Sequence, residues 1–108
     1  MLDAVMKVTF FHKEGERYKD WPGHRADTVL RPAFNLGGLL FSGAIHSDEK
    51  EMYFWGKAYT VLVLFFTIDN PETFDMVKNS LHIGAIYPVQ LASKVIGKAE
   101  MLQFTFSP

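Results

Sequence analysis

The sequence predicts an all-β fold: a small closed antiparallel β-barrel of six strands with one short helical insertion near 71–81. Three observations lead there. Six strand-like runs fit into 108 residues, only one stretch carries helical spacing, and the strongest run is apolar on both sides. Closing a sheet on itself removes its edges, and side chains alone can fill a small barrel.

The first run, residues 5–12, alternates Met6, Val8 and Phe10 on one side with Lys7, Thr9 and Phe11 on the other, the period of a half-buried strand. A polar turn follows at 13–17, where Gly15 can take a positive φ. Residues 28–34 read as the second strand, interrupted by Pro32. Proline cannot donate to a ladder, so this strand is expected at an edge or kinked at 32. The turn Asn35-Leu36-Gly37-Gly38 leads into a third strand over 39–45, and the charged run 47–51 reads as a solvated loop. Residues 58–68 form the strongest strand, with apolar residues on both faces, so each face must be covered by the domain or by a partner. Asp69-Asn70-Pro71-Glu72 breaks that strand, and Phe74, Met76, Val77 and Leu81 suit one or two helical turns. Two last strands, about 83–91 and 94–106, flank a turn at Ala92-Ser93.

The totals narrow the function classes. At this length residues 1–108 form a single domain, burying about two-thirds of the unfolded surface. The composition, 48% hydrophobic and 21% charged, is that of a globular protein and not of a disordered chain. A formal net charge of −1 argues against DNA, because a chain that neutralises several phosphates carries a basic surplus. With no cysteine, disulfides, thiolate metal sites and cysteine nucleophiles are all excluded. The start of the chain places Asp3 and Lys7 inside its apolar stretch, so it reads as neither a secretion signal nor a membrane span. A cytoplasmic location is the expectation.

The order of these signals resembles the C-terminal β-barrel of translation elongation factor Tu and its relatives. In that family an aromatic residue and a Gly-Tyr-Arg-Pro-Gln motif lead into a strand that ends on a second arginine. Here Trp21, Gly23, His24, Arg25, Ala26 and Asp27 occupy the motif, and Arg31 stands at the second arginine. Gly43-Ala44-Ile45 and Trp55-Gly56 stand in for the family's middle pieces. The family closes on Phe-x-Ile-Arg-Glu-Gly-Gly-x-Thr-Val-Gly-x-Gly, and Tyr87–Met101 aligns with it without a gap, Tyr87, Val89, Ile96 and Gly97 matching in character. The resemblance implies the barrel fold and a stand-alone domain. Tethered GTP hydrolysis is not implied, since the chain has no phosphate-binding glycine loop. It implies a tRNA contact only through Arg25, because Gln90, Leu91 and Ala92 replace the Arg-Glu-Gly that would accompany it.

No catalytic constellation stands out. His12, His24, His46 and His82 are not spaced as metal ligands, the carboxylates Asp20, Asp27, Asp48, Glu49, Glu51 and Asp69 lack a context that would raise a pKa, and no serine sits in a Gly-x-Ser-x-Gly elbow. No catalytic residue, metal or cofactor is therefore assigned. Arg25 and Arg31, six residues apart, would share a face of one extended segment about 20 Å apart. Each could cover a barrel end with its stem or anchor a partner. Tyr53, Phe54 and Trp55 could form a plug over a barrel end or an aromatic binding loop.

The expected function is a non-catalytic interaction module. It would bind a protein partner or a second copy of itself through an aromatic and apolar face built from Trp21, His24, Arg25, Arg31, Tyr53, Trp55 and Phe65. RNA binding on the Arg25 side is the first alternative, and a small-molecule or metal-dependent enzyme at the barrel mouth is the second.

Overall fold

Nine strands and one short helix are set out below for residues 1–11, 22–26, 29, 31–46 and 52–108, the residues described by the computed structural model. They are β1 (Leu2–Phe10), β2 (Gly23–Arg25), β3 (Ala33–Leu36), β4 (Leu39–Ser42), β5 (Ala44–His46), β6 (Met52–Phe54), β7 (Ala58–Phe65), α1 (Pro71–Val77), β8 (Ile86–Leu91) and β9 (Lys94–Phe106). A 3-10 turn, Lys78–Ser80, extends α1. Seven strands make one sheet in the order β4-β3-β8-β9-β1-β7-β5, every pair antiparallel, while β2 and β6 form a separate two-stranded sheet.

β1 lies inside the sheet, between β9 and β7. Leu2, Ala4, Met6, Val8 and Phe10 point inward and are buried, and the intervening residues point out. β7 repeats the pattern with Tyr59, Val61, Val63 and Phe65 inward. The 13-residue β9 pairs with β8 from Lys94 to Glu100 and with β1 from Gly97 to Phe106, and bulges interrupt both ladders, at Val89/Gln90 and at Val5/Met6. Bulges strengthen local twist, which is how one continuous sheet bends around its own core. At Gly97 the approach is close enough that an added Cβ would lie 2.4 Å from the Thr9 carbonyl oxygen. Only glycine lets β9 cross β1 there, as the sequence suggests.

The sheet curls into a half-barrel of seven strands, not the closed six-stranded barrel expected from the sequence. The run expected as one strand over 39–45 is split at Gly43 into β4 and β5, which lie at opposite ends of the sheet. The split has a steric cause. Gly43 rests against Phe34 and Val63 of the core, where a Cβ would come within 2.6 Å of both side chains. The chain thus passes over the core from one sheet end to the other, joining the ends covalently and not by a ladder. Of the two expectations for 28–34, an edge position or a kink at 32, the edge position is corrected: β3 lies between β4 and β8, and it begins only after Pro32, with positions 28 and 30 outside the described residues. Proline also acts at Pro88. The β3–β8 ladder covers only Ala33↔Gln90 and Phe34↔Val89, and the next pair would set Pro88, which has no N–H, against Asn35.

The helical insertion forms where the sequence places it. Asn70 caps α1, its Oδ1 accepting from the Thr73 backbone N–H at 2.8 Å, with Pro71 in the first turn. Phe74 stacks on Phe106 of β9, ring centroids 4.3 Å apart, and Val77 is fully buried. The Tyr87 hydroxyl donates to the Ser80 carbonyl and accepts from the His82 N–H at 3.2 Å, tying the 3-10 turn to β8. Met1 and Ser107 also exchange backbone hydrogen bonds, so β1 and β9 are paired up to their outer ends. No helix of the described residues is long and apolar enough to cross a membrane.

Candidate functional site

The inward residues of β7 are fixed by the core, so its outward residues define the surface that can meet other molecules. Cross-strand register sets them in rows. Leu64 lies between Asp3 of β1 and Ala44 of β5, and Leu62 lies between Val5 and His46. Leu62 is 40% exposed, and Phe66, just past the strand, is 50% exposed. The Arg31 guanidinium sits over the Phe66 ring at 5.7 Å from its centroid, a cation–π contact on the protein surface. An apolar row of Val5, Leu62, Leu64 and Phe66 therefore crosses the middle of this face, with Asp3, Arg31 and His46 around it. Shallow depressions flank it: one of about 190 Å³ is lined by Arg31, Ala44, Ile45 and His46, and one of about 100 Å³ includes Asp3, Val5, Leu62 and Gln103.

The residues singled out from the sequence do not converge on one site. Phe65 has no exposed surface; its ring meets Phe34 edge-on at a centroid distance of 5.3 Å, so it belongs to the core and not to a binding face. Strand parity decides this, since Phe65 falls in the same phase as Tyr59, Val61 and Val63. Tyr53 is also buried, packed between Phe10 at 5.3 Å and Tyr59 at 5.0 Å. The Tyr59 hydroxyl accepts from the Phe54 N–H at 2.9 Å. Trp55 is half-buried against the core, and its backbone N–H donates to the Pro22 carbonyl at 3.0 Å. Of residues 53–55, Tyr53 and Trp55 pack onto the core and Phe54 is left on the outside.

Arg25 and Arg31 are both exposed but do not share an extended segment. Arg25 ends β2, the Val29 N–H donates to the Ala26 carbonyl at 3.3 Å, and Arg31 precedes β3. His24 lies in β2 opposite Tyr53. Trp21 lies outside the described residues, as do His12 and the acidic positions 48, 49 and 51. Among the described residues no three histidine, aspartate or glutamate side chains gather as metal ligands. The His82 ring contacts the Asn79 carbonyl at 2.8 Å.

The residues missed in the sequence are Val5, Leu62, Leu64 and Phe66. A signal for them exists: Asp3 and Lys7 mark the wet phase of β1, and the strand beside it must share that phase across each row. No protein-family model matches this chain, and no curated protein matches it.

Proposed function

We propose that the chain is a non-catalytic binding module that docks a protein partner on the outer face of β7 and its neighbours. One observation carries the reading: a strand paired on both sides, whose inward residues complete the core, keeps leucines on its outward side, continued by an exposed phenylalanine under an arginine. Aromatic residues and arginine over an apolar centre with a polar rim are the composition that protein interfaces favour.

The relationship to the C-terminal barrel of elongation factor Tu is part of the same proposal. Two backbone features support it. Ala92 has a φ of 54°, the left-handed conformation natural to glycine, at a position where the family motif carries glycine. Gly97, at another motif glycine, is the close crossing of β9 and β1.

The test is affinity capture with the intact chain and with Leu62→Thr and Phe66→Ser variants, each with and without nuclease. A protein partner retained after nuclease and lost with either variant supports the reading. Capture that disappears with nuclease and with Arg25→Ala, while surviving the β7 variants, replaces it with RNA binding through Arg25.

A further inference from the structure

A second surface differs in kind from the face of β7. β4 closes one end of the sheet, and among the described residues no strand pairs with its side away from β3. The hydrogen-bond phase of this strand follows from one contact. The Gly43 N–H donates to the Pro32 carbonyl at 3.0 Å, continuing the β3–β4 ladder in which Phe34↔Phe41 and Leu36↔Leu39 alternate with Asn35↔Leu40 and Ala33↔Ser42. Antiparallel ladders alternate bonded and non-bonded pairs, so Phe41 and Leu39 direct their backbone groups at β3. Leu40 and Ser42 direct theirs outward. Side chains on this edge are also uncovered: Leu40 is 53% exposed, and Leu39, although it pairs with buried Leu36, is 40% exposed.

Edges of native sheets are commonly blunted by charge, proline or a bulge. β4 has none of these, and no charged residue occurs from 32 to 45. We propose that this edge pairs with the β4 edge of a second copy of the chain, forming a two-fold antiparallel dimer. The spacing of the outward groups suits that operator. With the axis at Phe41, the outward backbone groups of Leu40 meet those of Ser42 in the other copy, and the reverse, so every donor faces an acceptor. The two Phe41 residues oppose one another in a non-bonded pair, and Leu39 packs beside the partner copy's chain at Gly43. Charge permits the approach, because the meeting segments are uncharged and the whole chain carries only −1. The proposal uses a different surface from the docking face of β7 and stands or falls separately.

The tests use the full chain. Sedimentation over a range of concentrations should show a monomer–dimer equilibrium. Leu40→Pro deletes an outward N–H while leaving the ladder to β3 intact, and should raise the dimer dissociation constant about tenfold or more. Leu62→Thr should leave it unchanged. The absence of cysteine makes the register readable. Leu40→Cys mixed with Ser42→Cys should oxidise to a mixed disulfide dimer faster than either variant does alone, since bonded pairs sit about 5.5 Å apart at Cα. A chain that stays monomeric at every concentration overturns the proposal and leaves the edge to a strand from another protein. A dimer indifferent to Leu40→Pro, or one lost with Leu62→Thr, overturns it as well. Faster self-crosslinking of one cysteine variant overturns the register.

Discussion

The two faces of β7 are built from much the same side chains and do opposite things. Tyr59, Val61, Val63 and Phe65 are at most 6% exposed, whereas Leu62, between two of them in sequence, is 40% exposed. Hydrophobicity alone does not distinguish the faces. What separates them is the neighbouring strand, since the outward phase shares its rows with Asp3 and Lys7. An inward leucine gains burial and packing on every side, while an outward leucine gains only partial cover from residues across the ladder. On the outward face of β7, Leu62 and the adjoining Phe66 therefore keep exposed apolar surface that the inward face does not have.

Substitutions can break this contrast, and the largest effect is expected inside. Phe65→Ala should cost about 3–5 kcal/mol in chemical denaturation, because a cavity would remain beside Phe34. Gly43→Ala should cost about 1–3 kcal/mol in thermal unfolding, since the methyl group would press on Phe34 and Val63 at the passage between sheet ends. Ala92→Gly works in the other direction. Relief of a left-handed alanine, about 1–2 kcal/mol, exceeds the 0.5–1 kcal/mol or so that glycine loses in chain entropy, so unfolding should show a gain of about 0.5–1 kcal/mol. Leu62→Thr should change stability least, by no more than about 0.5 kcal/mol, while weakening capture of the partner. If Leu62→Thr destabilised the fold as Phe65→Ala does, the two faces would not differ as described.

Much of the fold was legible because strand alternation is local. The burial of Met6, Val8 and Phe10, the helical turns after Asn70, and the turn at Ala92-Ser93 all follow from residues close together in the chain. Gly43 was not legible as a break, because its reason is the presence of Phe34 and Val63 in space. The short pairing of β2 with β6 was missed for the same cause, two three-residue segments being held together across a long separation. The candidate site was legible only in part. Arg31 was identified, but its partner Phe66 and the leucine row depend on the phase of β7, and an apolar run on both faces conceals that phase. The size and aromaticity that make Tyr53 and Phe65 read as interface residues are the same properties that make them good core residues.

The hydrogen bonds between Met1 and Ser107 have an engineering consequence. Because Met1 and Ser107 sit side by side, a short linker can join positions 1 and 108 while the polypeptide is opened at the Gly37-Gly38 hairpin turn. Such a circular permutant keeps the order of strands in space and changes only the order in which they are synthesised.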